Sequence, residues 1–99
     1  NLIKVIKLSQ MDKVECITFF ENGKKLAVGT STGACYLIDV EQECILATLL
    51  GHSKCVRSIA VDNSTKSQLL LTCGNDGLIC MHDLHSYTIA QLFGPVREG

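Results

Sequence analysis

The feature that most constrains this chain is an internal repeat. Val14, Ile17 and Phe19 recur as Val56, Ile59 and Val61 at an offset of 42, while Leu26, Gly33 and Asp39 recur as Leu70, Gly77 and Asp83 at an offset of 44. Leu49-Leu50-Gly51 returns as Leu92-Phe93-Gly94 at an offset of 43. A period in the low forties whose offset slips by one or two puts insertions in turns and keeps register in strands, as in linearly or radially stacked units. The chain must therefore build one small unit twice.

Within each copy the sequence falls into short β-rich runs separated by turn residues, with no helical stripe of useful length. The runs are 14–20, 25–29, 34–38 and 44–50 in the first copy, and 56–61, 68–73, 78–82 and 87–93 in the second. The turns carry Glu21-Asn22-Gly23, Asp62-Asn63-Ser64-Thr65, Gly74-Asn75-Asp76-Gly77 and Leu84-His85-Ser86. Gly and Asn tolerate positive φ, and Asp and Ser bond their own backbone, so each cluster reverses the chain cheaply. Each copy thus reads as a four-stranded antiparallel meander, and the fold class is all-β. The second and third runs are apolar on both faces, as in Leu69-Leu70-Leu71 and Leu78-Ile79-Cys80-Met81. Such strands need cover on two sides. Sheets stacked face on face supply it.

At 99 residues with only 5% aromatic content and no Trp, the chain has a thin margin for an independent core. Further units of a longer parent are expected to cover the remainder. Net charge is −1 with both signs interspersed, which disfavours nucleic-acid binding. The lysines at 4, 7, 13, 24 and 25 read as a solvated face, because Asp12, Glu15 and Glu21 lie among them. Six cysteines sit inside apolar runs, so buried free thiols and a reducing compartment, cytoplasmic or nuclear, are expected. No apolar run reaches the length of a membrane span, and no membrane partner is expected.

Gly51-His52, Thr72, Asp76-Gly77 and Asp83 stand where a Gly-His pair, a strand hydroxyl, a tight turn and the Asp of a Trp-Asp pair stand in the WD-repeat β-propellers, which the chain resembles over nearly its whole length. His82 occupies the Trp position. The resemblance implies a fragment of a roughly seven-bladed propeller. Residues 1–8 are then the last strand of a preceding blade, 9–50 a divergent blade, 51–94 a second blade, and 95–99 a linker or the start of the next. It further implies a buried hydrogen-bonded chain through His52, Thr72, Asp76 and His82. In the first copy Gln10, Val28, Thr32 and Ile38 take those positions, so no charged network is expected there and apolar packing alone should hold that blade. The function implied is a rigid protein-interaction platform that uses no cofactor. Its partner face would lie on residues 9–13, 30–32, 53–54 and 75–76, with Ser31, Lys54, Arg57 and Asn75 as candidate contacts.

Two chemical readings compete with the platform. Gly29-Thr30-Ser31-Thr32-Gly33 spells G-x-S-x-G and resembles the nucleophile elbow of patatin-like acyl hydrolases, with Ser31 as nucleophile and Asp76 as its partner. An elbow needs a helix after the serine to supply oxyanion donors, whereas 34–38 repeats as 78–82, a strand. Gly33 and Gly77 are also equivalent turn positions, which makes the would-be nucleophile and base two instances of one turn. No enzyme activity is expected. The cluster of Cys73, Cys80, His82 and His85 lacks the spacing of a zinc knuckle, and core packing is the favoured reading over a metal site. Arg57 and Arg97 are the only arginines, too few for a clustered phosphate-reading site.

Overall fold

The computed structural model of the chain describes residues 12–62 and 68–94. The strand expected at 1–8, the tail at 95–99, Gln10, and most of the turn after residue 62 lie outside them. Eight strands follow in order: β1 (Val14–Phe20), β2 (Lys25–Thr30), β3 (Ala34–Asp39), β4 (Cys44–Leu50), β5 (Val56–Asp62), β6 (Leu69–Gly74), β7 (Ile79–Asp83) and β8 (Thr88–Phe93). They form two antiparallel sheets, β1-β2-β3-β4 and β5-β6-β7-β8, each a meander of sequence neighbours. The described residues contain no helix.

The repeat extends to the irregularities. Register shifts fall between Val14 and Cys16 in β1 and between Val56 and Ser58 in β5, then between Leu37 and Ile38 in β3 and between Met81 and His82 in β7. A bulge adds local twist and re-aims the side chains beyond it, so equivalent bulges give the two sheets the same coil.

Turn chemistry closes each hairpin. Glu21, Asn22 and Gly23 all have positive φ between β1 and β2. Asp39 accepts the Gln42 N–H at 2.9 Å, and its counterpart Asp83 accepts the N–H groups of His85 at 2.7 Å and Ser86 at 3.3 Å. Both turns end on a left-handed residue, Glu43 or Tyr87. The recurring Asp therefore holds the last turn of each unit by satisfying its backbone donors.

The sheets pack face on face. One face of the first sheet presents Phe20, Ala27, Cys35, Leu37 and Leu49, which form a core with Leu70 and Leu84 and with the half-buried Ile59 and Val61 of the second. Leu37 and Leu70 are fully buried, and burial of this kind stabilises by roughly 2 kcal/mol per side chain. β5 lies against β1 and β2. The approach is close enough to require glycine, because a Cβ at Gly29 would stand 2.6 Å from Cys16 Sγ and 2.7 Å from Val56 Cγ1.

The middle strands of the first sheet are buried on both faces, by Ala27 and Leu37 on one and Val28 and Ile38 on the other. In the second sheet Leu70, Thr72, Cys80 and His82 are buried toward the first, while Leu69, Leu71, Ile79 and Met81 on the far face are half-exposed. All six cysteines are free, as expected, but only Cys35 and Cys80 are buried. Cys44 and Cys73 are exposed, which corrects the expectation of uniformly buried thiols. Alternation places Cys73 on the uncovered face of β6, and Cys44 opens the outermost strand of its sheet.

Candidate functional site

The residues singled out in the second copy converge at the end of the sheets formed by residues 51–55 and the β6–β7 turn. Asp76 Oδ1 accepts from His52 Nδ1 at 3.0 Å, His52 Nε2 meets Thr72 Oγ1 at 2.8 Å, and Thr72 Oγ1 meets His82 Nε2 at 3.3 Å. Asp76 also accepts the N–H groups of Ser53 at 2.9 Å and Leu78 at 3.2 Å. Strand β6 supplies Thr72, β7 supplies His82, and the tight turn between them supplies Asp76. Gly74 leaves the room: a Cβ there would lie 2.6 Å from His52 Nδ1.

Proton bookkeeping fixes the direction of this chain. With Asp76 ionised, His52 donates from Nδ1 and its Nε2 accepts the Thr72 hydroxyl proton, so Thr72 can take a bond only from a protonated His82 Nε2. Burial raises the Asp76 pKa, but the bonds from His52, Ser53 and Leu78 outweigh it and hold the carboxyl below its ordinary value. Burial, reinforced by His52, pushes the His82 pKa below that of a free imidazole. The side chain of His52 is 2% exposed and that of Asp76 6%, so this pair is shielded from solvent and salt.

The first copy departs from expectation. Asp12 accepts hydrogen bonds from Thr32 and, at 2.5 Å, from Tyr36 Oη. Thr30, fully buried, meets Thr32 at 3.2 Å and donates to the Ala34 carbonyl at 2.8 Å. The blade is therefore not held by apolar packing alone. A carboxylate from residue 12 reaches the β2–β3 turn where Asp76 is the turn residue in the second copy. The bonds from Thr32 and Tyr36 lower the Asp12 pKa, and the same bond raises that of Tyr36. Position-by-position comparison of the copies misses this set, because Asp12 aligns with Lys54 and Tyr36 with Cys80.

The described residues of the expected partner face lie together, and 9–11 lie outside them. Ser31 is tied to Lys13 twice, through its N–H to the Lys13 carbonyl at 2.9 Å and through Oγ accepting the Lys13 N–H at 3.0 Å. Gly33, at φ +99°, sits against the His52 and Lys54 carbonyls, where any Cβ would collide. The Asn75 N–H reaches the Cys55 carbonyl at 2.9 Å. Two bonded links, Lys13 to Ser31 and Cys55 to Asn75, with the close approach of Gly33 to the His52 and Lys54 carbonyls between them, thus make one backbone track. Lys13, Lys54, Arg57 and Asn75 are exposed along it, and Ser31 is half-buried.

Neither rival chemistry gains a site. Ser31 lies in a turn between two strands of one sheet, and its hydroxyl accepts from the Lys13 main-chain N–H. The geometry gives the acyl hydrolase reading no support. Cys80 donates to the Gly51 carbonyl at 3.4 Å, Cys73 faces the other side of the sheet, and His85 lies in the β7–β8 turn. Among the described residues no group of three His, Cys, Asp or Glu side chains is placed to hold a metal ion.

Residues 43–83, from the turn before β4 to the end of β7, match the family model described as WD domain, G-beta repeat. The chain is 33% identical over 86 residues to meiotic fizzy-related protein 1 of Schizosaccharomyces pombe, covering 84% of this chain and 20% of that protein. It is 33% identical over 84 residues to meiotic recombination protein rec14 of the same organism, covering 81% and 27%. A chain in the crystal structure of the mitotic checkpoint complex superposes with a TM-score of 0.77 at 22% identity, over 88% of this chain and 26% of that one, and shares its fold. The chain spans between 20% and 27% of the length of these proteins. Two stacked four-stranded meanders, the His–Thr–Asp chain and these matches agree: the chain belongs to the WD-repeat family of β-propeller proteins.

Proposed function

We propose that the two blades form part of a protein-interaction platform within a larger propeller of roughly seven blades. The observation that carries the reading is the backbone track in which the Lys13–Ser31 and Cys55–Asn75 bonds flank the close approach of Gly33 to the His52 and Lys54 carbonyls, bringing loops of two successive blades into one surface. Loops held this way lose little entropy on binding, so contact energy goes into affinity rather than ordering. Arg57 is the anchor of choice at its rim, since Arg is enriched among residues that dominate interface energies. A reducing compartment, cytoplasm or nucleus, fits six unpaired cysteines. The names of the relatives place them in meiosis, and a role in such assemblies is the corresponding proposal for the parent of this chain.

The test compares proteins captured by the full-length parent with those captured by Lys54→Glu/Arg57→Glu and by Glu41→Lys/Glu43→Lys, which reverses charge at the opposite end. Specific partners should be lost with the first variant alone. A partner set untouched by the first would sink the reading. Ser31→Ala should retain every partner and activity of the parent, whereas loss of an esterase activity with the fold intact would restore the hydrolase.

A further inference from the structure

Two of the free thiols meet where the blades touch. Cys16, on β1 of the first blade, and Cys55, just ahead of β5 of the second, both donate to the Val56 carbonyl, at 3.5 Å and 3.6 Å. Their sulfurs are therefore at most about 7 Å apart by the two bond lengths. Both residues are half-buried. We propose that Cys16 and Cys55 are the two ends of a peroxide-formed disulfide that fastens one blade to the next.

The seam between the blades places these sulfurs. β5 lies against β1 and β2, and the Cys16 sulfur sits in the gap that Gly29 leaves, because a Cβ there would stand 2.6 Å from that sulfur and 2.7 Å from Val56 Cγ1. One period away the same two positions hold Ser58 and Lys13, so the pair belongs to this junction and not to the repeat. An S–H group is a weak donor, and leaving the shared carbonyl costs each thiol little. Rotation about the two Cα–Cβ bonds is the movement that turns the sulfurs from the carbonyl toward each other. Cys73, exposed on β6 and close enough to influence Cys16, is the competing thiol.

The step balances with hydrogen peroxide as the oxidant: two thiols and one peroxide give one disulfide and two waters. Burial pushes the Cys16 thiol up, against a backbone bond from Gly29, and Cys55 and Cys73 add to the rise, so Cys16 is the poorer first nucleophile. Cys55 attacks peroxide, one oxygen passes to its sulfur, and the first water leaves. The Cys16 sulfur then attacks the sulfur of that sulfenic acid. Its S–O bond breaks, and hydroxide departs with the thiol proton as the second water. A reversible bond of this sort suits a reducing compartment, where disulfides are transient and redox-sensing. Closing residues 16–55 into a loop restrains the unfolded chain, so the oxidised blades resist unfolding.

The experiment treats the reduced full-length parent with hydrogen peroxide under native conditions, blocks the remaining thiols by alkylation, and maps the linked peptides by mass spectrometry. A pair joined through Cys16 and Cys55 should dominate, and dithiothreitol should release it. Cys16→Ser or Cys55→Ser should abolish it, while Cys73→Ser should leave it in place. The urea midpoint of the parent should rise on oxidation and return on reduction, with no rise in Cys55→Ser. The map of the parent needs no variant, so it decides even where a serine substitution fails to fold. Predominant pairing of either thiol with Cys73, or sulfinic acid at Cys55 without a link, would overturn the proposal. A mapped bond between residues 16 and 55 that left the midpoint unchanged or lowered it would do the same.

Discussion

At the scale of the residue, the two copies carry different polar chemistry in equivalent places, and their energetics differ accordingly. Asp76 satisfies one imidazole and two backbone N–H groups in a site nearly closed to water. Its removal leaves those donors unpaired, so Asp76→Ala should cost on the order of 2–3 kcal/mol in urea unfolding of the parent protein. Thr32, its positional counterpart, is exposed and bonded to Asp12 and Thr30, so Thr32→Ala should cost under about 1 kcal/mol. Equal losses would refute the assignment. The Asp76 carboxyl is held below its ordinary value of 3.8, so the unfolded chain takes up its proton first as pH falls. Its contribution is complete above that value and is lost as pH drops through the folded-state pKa. Acid unfolding of Asp76→Asn should therefore be less steep below about pH 4 than that of the parent. Gly74→Ala places a methyl against the His52 ring and should destabilise by an amount similar to Asp76→Ala, through the same lost bond.

At the scale of the element, β-strand existence and order were legible because each run is short, β-branched or leucine-rich, and bounded by turn residues. Every described strand lies within a residue or two of the run read from sequence, β1 and β4 at the same bounds. The partner set of Asp12 was not legible. Asp12 precedes β1 by two residues, and nothing in local pattern says that its carboxylate will reach Thr32 and Tyr36 on β2–β3, 20 and 24 residues away. Only the meander folds those positions together. Gly33 is the sharpest element-level test. It combines φ +99° with backbone carbonyls of the neighbouring blade where a Cβ would go. Gly33→Ala should cost more than 2 kcal/mol, whereas Gly23→Ala, equally left-handed but in open space, should cost about 1 kcal/mol. The comparison, made by thermal unfolding, separates inter-blade contact from backbone strain.

At the scale of the whole molecule, the two blades seal one shared interface and, among the described residues, leave apolar side chains exposed beyond it. Ile17, Phe19 and Leu50 on the far side of the first sheet are 56%, 60% and 72% exposed. The face of the second sheet turned away from the first carries Leu71 and Met81, half-buried. The 99-residue chain produced alone should therefore self-associate in sedimentation velocity at micromolar concentration, and a monodisperse, cooperatively melting monomer would contradict this. The sequence by itself determined the repeat, the strand order and the turns, because each is written in local periodicity or in matching positions of two copies; the His–Thr–Asp chain was legible only through the resemblance of its residues to the WD-repeat pattern. Tertiary structure alone decided that Asp12 stands in for the missing turn carboxylate, and that Ser31 is pinned to Lys13. It also decided that His82 shares one hydroxyl with His52. Those outcomes depend on which loops the stacked sheets bring within hydrogen-bond range, and a distance set by packing leaves no trace in the spacing of residues along the chain.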